Sequence, residues 1–288
     1  MTRKSQSGQA LVLVLLSLAV VLTLVLFILS RSVTDVAVSG RQEESVRAFS
    51  AAEAGIEQAL VVGSSIPKTG IGDASYTTSF TDYAQGLTIF NDPVPLSSGD
   101  SATIWFVAHN PDGSLGSTVF TGDSMKICWG AVGSSGNSDT TPAIEVSIYY
   151  ETKPGTLLTV KVARDAFDPF NSTGLRTVPN SFAAAPVVGT CTIGDQSYAF
   201  QKTVTFSDFS PVAVNTGGLM LAKIRMFYND SPQKVGVSVT GGTLPSQGKE
   251  VDSSGVAGAS NRRITVFQGW AEFPFASNAL LVPGDITK

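Results

Sequence analysis

Histidine occurs once in this chain, cysteine twice, and charged side chains make up only 15% of its 288 residues. A Ser-His-Asp triad would therefore have to use His109, which stands in the turn-like segment AHNPDGS, and no GxSxG elbow occurs anywhere. Three SxxK matches, at Ser65 to Lys68, Ser231 to Lys234 and Ser246 to Lys249, have no SDN or KTG partner. They read as chance in a Ser-rich chain. LPSQG, 244 to 248, is followed by no apolar stretch and basic tail, so it reads as a loop and not as a sorting signal. The absence of CxxC removes the common dithiol redox and zinc signatures. Asp165, Asp168 and Asn171 in RDAFDPFN, and Asn110 and Asp112 in HNPDG, carry oxygen atoms but lack EF-hand spacing, and turn formation accounts for both groups. The net charge is −4, and beyond the N-terminus the only adjacent basic pair is Arg262-Arg263, so nucleic acid is not an expected partner. No cofactor, metal or catalytic activity is expected.

What the chain does have is concentrated in its first 60 residues. A short basic segment, MTRKSQSG, leads directly into the apolar run ALVLVLLSLAVVLTLVLFIL, residues 10 to 29, broken only by Ser17 and Thr23. At ~1.5 Å per residue such a run spans the ~30 Å of a bilayer core, and it is longer than the apolar region of a cleaved secretory signal. No helix breaker follows, so the helix is expected to project from the membrane into water and to end at Gly63, Ser64, Ser65 and Pro67. In the projecting part Val38, Val46, Phe49, Ile56 and Leu60 fall on one side at 100° per residue and predict a packing stripe. Glu43 precedes Arg47 by four residues, the favourable order for a helix ion pair, while Ala48, Ala51, Ala52, Ala54 and Gly55 keep the adjoining surface thin enough for close helix contact.

These residues resemble the type IV pilin-like proteins, in particular the PilX-type minor pilins and the K-type pseudopilins of type II secretion. The resemblance covers residues 3 to 60 and rests on Arg3 and Lys4, on Gly8, on the apolar helix from Ala10, and most specifically on AFSAAEAGIEQAL, 48 to 60. It implies a leader of residues 1 to 8, cut by a prepilin peptidase between Gly8 and Gln9, and an N-terminal helix of residues 9 to 63 that stays in the membrane or joins other pilin-like subunits. Two positions depart from the major-pilin pattern: the first mature residue would be Gln9 in place of Phe, and the fifth Leu13 in place of Glu. In the family that glutamate is thought to meet the N-terminal amine of the next subunit. Leu13 lacks the carboxylate, a feature shared with subunits that have no neighbour ahead of them at a filament tip.

From Ile66 onward the composition turns to Gly, Ser, Thr, Val and aromatic residues, with alternating runs separated by NPDG, KPGT and SPQK. Strands are predicted over 102–108, 144–150, 157–162, 203–206, 219–228, 235–239 and 263–267. The expected class is α+β: a long N-terminal helix, then a mainly antiparallel, sandwich-like β domain over 68–288. The loop-rich stretch 165–195 is the best boundary if that domain were two, and one domain is expected. Cys128 and Cys191, an even pair in a chain read as exported, are expected to form a disulfide. The aromatic residues Trp105, Trp129, Trp270, Phe273 and Phe275 read mostly as core, with GWAEFPF singled out as a contact-loop candidate at Trp270, Phe273 and Phe275.

Positive charges flank both ends of the apolar run, Arg3 and Lys4 on one side and Arg31, Arg41 and Arg47 on the other, so charge does not orient it. The composition of the β domain suits an exterior. The expected place is the cytoplasmic (inner) membrane, single pass, with the C-terminal domain outside or carried to the cell surface. Two functions fit: a structural minor pilin or pseudopilin, whose partners are membrane lipid, other subunits and the prepilin peptidase, or a single-pass anchored adhesin that binds a surface ligand.

Overall fold

The computed structural model describes residues 7–153, 155, 159–173, 176, 180–185, 187–209 and 216–272. The fold is α+β, one long apolar N-terminal helix followed by mostly antiparallel sheets. Helix α1 runs Ser7–Val62. Its stop is the one the sequence signals: Gly63 takes φ 69° and donates its N–H to Ala59 O at 2.8 Å, a left-handed cap that glycine adopts without a Cβ penalty.

The strands that follow are β1 (Thr69–Ile71), β2 (Ala74–Asp82), β3 (Ile89–Asn91), β4 (Ser101–Trp105), β5 (Val107–His109), β6 (Leu115–Val119), β7 (Ser124–Trp129) and β8 (Ala143–Glu151). After them come β9 (Val160–Asp168), the short helix α2 (Phe170–Thr173), β10 (Ala183–Ala184), β11 (Val187–Ile193) and β12 (Gln196–Thr205). The last four are β13 (Leu219–Phe227), β14 (Val235–Thr240), β15 (Gly248–Ala257) and β16 (Ser260–Gly269). The chain divides into two compact units, Met1–Phe80 with Val251–Val266, and Thr81–Glu250 with Phe267–Lys288. The 165–195 stretch lies inside the second.

The first unit sets the C-terminal half of α1 on the sheet of order β1-β2-β15-β16. Small residues make the contact: Ala48, Ala51, Ala52, Gly55 and Ala59 are buried together with Ile56. The approach is close enough that a Cβ on Gly255 would overlap Ala48 O and Ala52 N, and one on Gly55 would overlap the side chains of Ser253 and Tyr76. Below them Ile56, Ala59 and Val251 pack with Ile66, Phe80, Ile264 and Val266. Polar ties border this contact: the Tyr76 hydroxyl bonds Gln58, Ala259 N–H donates to Glu44 Oε2 at 3.1 Å, and Arg262 donates to Ser45 Oγ at 2.6 and 2.9 Å.

The second unit is a sandwich of two five-stranded sheets, β10-β9-β8-β13-β4 and β11-β12-β7-β14-β3. One apolar core lies between them, fed by alternate residues of each strand. Ile144, Val146 and Ile148 of β8 and Ala222, Ile224 and Met226 of β13 meet Ile127 and Trp129 of β7, Phe200 and Val204 of β12, and Val235, Val237 and Val239 of β14. β13 pairs antiparallel with both β4 and β8, and β7 with both β12 and β14. Cys128 on β7 and Cys191 on β11 are joined by a disulfide, with Cα atoms 6.1 Å apart. It ties an edge strand to the middle of its sheet past β12 and closes 63 residues of chain, which in the chain-entropy account contributes roughly 4 kcal/mol.

Several expected strands change in extent. The run 102–108 is divided at Phe106, whose N–H donates to Met220 O at 2.8 Å while its carbonyl accepts Phe120 N–H at 2.7 Å. The chain there leaves β4 for the small β5-β6 ladder. The run 203–206 is the tail of the much longer β12, and 263–267 is the interior of β16. β9 begins at Val160, and residues 157 and 158 of the expected 157–162 strand lie outside the described residues.

Asp92, just past β3, accepts Val94 N–H at 2.9 Å, but burial raises its carboxyl to about 6. A raised carboxyl pKa means that the folded state holds its proton more tightly than the unfolded chain. Its contribution to stability is therefore complete below the ordinary range near 4 and is lost as pH rises through about 6. Asp92→Asn keeps the acceptor for Val94 and removes the charge. It is expected to raise stability by about 2 kcal/mol at pH 8, after a discount for partial exposure, and by nothing measurable at pH 4. Urea denaturation at the two pH values checks this, and a gain of equal size at both would refute it.

Candidate functional site

Two surfaces stand out. The first is the helix. Every described large side chain from Leu11 to Leu29 faces outward, and α1 is long and apolar enough to cross a membrane. Gly8 and Gln9 lie in its first turns, and Leu13 is 67% exposed among apolar neighbours. Further along, the chain's own sheet covers the expected packing stripe only in part. Ile56 is 7% exposed and meets the sheet, but Val38 is 57% exposed, Val46 60%, Phe49 47% and Leu60 37%. The sheet takes the alanine face instead, because backbone approaches so close leave no room for larger side chains. The larger apolar residues of the stripe continue the exposed surface of the apolar segment into the second half of the helix. Arg47 pairs there with Glu43 at 2.5 Å.

The second surface is a groove of about 430 Å³ in the second unit. Gln247 builds one wall. Its buried amide accepts Trp105 N–H at 2.7 Å and donates to Trp105 O at 2.8 Å, standing in for a neighbouring strand beside β4. That fixes Ser246 and Lys249 on either side of it. Trp270, just beyond β16, donates its indole N–H to Ser246 O at 2.9 Å. His109, at the end of β5, stacks on Trp270 with ring centroids 4.7 Å apart and planes 6° from parallel, and meets the edge of Trp105 at 4.4 Å. Burial pushes the His109 imidazole below the usual histidine range. Lys249 Nζ donates to Asp82 Oδ1 at 2.7 Å and lies 5.5 Å from the Trp270 ring centre. Burial works to raise the Asp82 carboxyl, but hydrogen bonds from Lys249 and Ser246 outweigh it and hold the group below its ordinary value.

His109 and Trp270 are thus corrections to the sequence reading. His109 closes strand β5 ahead of the turn, and Trp270 is half-buried with its N–H satisfied instead of displayed on an exposed loop. The turn that follows β5 closes on itself, with Asp112 Oδ1 accepting both Ser114 N–H at 2.9 Å and Ser114 Oγ–H at 2.6 Å. Phe273 and Phe275 lie outside the described residues. Trp105 and Trp129 are core. Asp168 does not sit with a ligand set: it is fully buried against Arg176. Among the described residues there is no cluster of three or more His, Cys, Asp or Glu side chains able to hold a metal. Sequence reasoning missed Gln247, Lys249 and Asp82, since nothing local marks residues brought together from positions 82, 109, 249 and 270.

Comparison of the chain with protein-family models, with curated proteins and with solved structures finds no match.

Proposed function

We propose that this chain is a minor subunit of a type IV pilus or of a related secretion pseudopilus, held in the inner membrane by α1 before assembly. The observation that supports this most is the division of labour along one helix. Its first half is apolar on all sides and covered by none of the described residues, while its second half is clamped to its own sheet by small residues. Such a helix leaves lipid only for an equally apolar bundle of other helices. Exposing it to water would cost tens of kcal/mol at ~25 cal/mol per Å². The outward Val38, Val46, Phe49 and Leu60 extend the same contact surface beyond the membrane. Leu13 gives the apolar half no carboxylate to offer a neighbour's amine, which favours a tip or priming position over the repeating body of a filament.

The test is the N-terminus of the mature protein, read by mass spectrometry from native membranes or sheared filaments. A start at Gln9 supports processing by a prepilin peptidase, and a retained N-terminal segment ahead of Gly8 refutes it. Replacement of Leu15 by arginine places a cation in the apolar half at a cost of about 2.5–3.5 kcal/mol near the centre of a membrane helix. Incorporation into sheared filaments is expected to be lost, while the melting of the β domain stays unchanged. Normal incorporation of Leu15→Arg would overturn the assembly role.

A further inference from the structure

Between its apolar run and its sheet, α1 crosses a stretch, residues 30–43, that is exposed throughout. Ties to the β15–β16 hairpin begin at Glu44, which accepts Ala259 N–H, and at Ser45, which accepts from Arg262, and burial begins at Ala48. The sequence makes this stretch weak as helix. In SRSVTDVAVSG, 30–40, nine of the eleven residues are Ser, Val, Thr, Asp or Gly, each a poorer helix former than alanine. Thr34 Oγ1 donates back to Ser30 O at 2.9 Å, a bond that bends a helix without bracing it. Gly40 is the telling position. A Cβ there would meet nothing within 4 Å, so no close approach calls for glycine, and what it contributes is a helix propensity second only to proline in weakness. The flanks differ: lipid or a bundle of like helices keeps 11–29 helical, since a broken turn there leaves backbone groups without partners, and the alanine face holds 48–59 on the sheet.

The same stretch carries end signals that an uninterrupted helix does not use. Arg31 is a cation suited to a last helical turn. Ser39 and Gln42 have the S-x-x-Q spacing of a capping box, and Glu43 and Glu44 follow as anions suited to the start of a helix. In the intact α1 Ser39 is an interior residue, where serine is neutral to unfavourable. It serves as an N-cap only where a helix restarts.

We propose that residues 32–38 are a joint: α1 opens between Arg31 and Ser39 while the pieces on either side stay helical. Seven residues then span up to ~23 Å in place of ~10 Å, so the sheet-bearing end can turn and move outward without drawing the apolar end from its surroundings. The joint rests on the reading that 11–29 are held by lipid or by other helices, and it would serve a filament subunit and an anchored surface protein alike.

Amide hydrogen exchange of the full-length protein in lipid nanodiscs tests it. Amides of 32–38 are expected to exchange about 100-fold faster than those of 48–59 or of 11–29. Ser32→Ala and Ser39→Ala each replace an exposed serine and gain the same helix propensity, but only the second removes the cap of the opened form. Ser39→Ala should therefore slow the exchange of 32–38 about fivefold more than Ser32→Ala does. Exchange of 32–38 as slow as that of 48–59, or equal slowing by the two alanines, would overturn the joint. Fast exchange of 11–29 would instead refute the lipid-held reading of the apolar half, and the two serine variants would still decide the joint.

Discussion

Replacing Gly255 by valine is expected to undo the packing of α1 on its sheet, at a cost of about 4 kcal/mol or more. The argument starts from what surrounds this position. Gly255 is buried on β15, and the atoms its Cβ would meet are Ala48 O and Ala52 N, which belong to the helix backbone and not to a side chain able to rotate away. Relief requires the helix to move off the sheet. That opens the contacts of Ala48, Ala51, Ala52 and Ile56 together, since all four are buried on that face. Val256, the next residue, is 38% exposed and points the other way, so Val256→Thr should cost under ~1 kcal/mol. Hydrogen exchange separates local from global loss. Amides of 48–62 and 251–257 should lose protection in Gly255→Val while those of β8 and β13 keep theirs. A variant that melts like the parent, with the helix amides still protected, would refute the close-packing account.

The same close approach explains what was and was not legible in the sequence. Hydrophobic periodicity weights each residue by its apolar surface, and so it selects Val38, Val46, Phe49 and Leu60, which the structure leaves exposed. The packing face was written in residue size, in AFSAAEAG opposite Ser253 and Gly255, and neither Ala nor Gly carries much weight in a hydrophobic pattern. The helical apolar segment was legible because 20 consecutive, mostly apolar residues with no breaker admit few alternatives. The end of α1 was legible because Gly63 and Pro67 punctuate it.

Strands were legible where one face is apolar and the other is not, as in β8 and β13. They were hidden in β2 and β15, whose sequences ASYTTSFTD and GKEVDSSGVA are dominated by Ser, Thr and charged residues. Those strands have small residues under α1, and small polar residues look like loop in a window of sequence. The groove was hidden for a different reason. Its ring stack depends on two residues 161 positions apart in the sequence, His109 and Trp270, and on Gln247 acting as a strand partner for Trp105. No local pattern encodes a contact of that range.

The second large effect is expected at Arg176. Its guanidinium holds Asp168 through Nε to Oδ2 at 2.5 Å and Nη2 to Oδ1 at 3.0 Å, and also donates to the carbonyls of Asp139 at 2.7 Å and Thr141 at 2.5 Å. Tyr228 caps it from 3.9 Å. Both charged side chains are nearly inaccessible, so Arg176→Met leaves a carboxylate in the interior with, among the described residues, the Phe170 N–H and the Asn180 amide to solvate it. Breaking a buried pair from one side costs about 3–5 kcal/mol, most of it the penalty of the charge left behind. Lysine should rescue little, because a single ammonium cannot make the paired contact and also reach two carbonyls. The double variant Arg176→Met with Asp168→Asn should therefore be more stable than Arg176→Met alone, since the orphaned charge is gone and the acceptor for Phe170 remains. Urea denaturation of the three variants decides it. If Arg176→Met costs under ~1 kcal/mol, or if adding Asp168→Asn makes matters worse, the cost does not lie in the stranded carboxylate. If the order holds, the pair is a latch: it fixes the chain after β9 to the 139–141 segment.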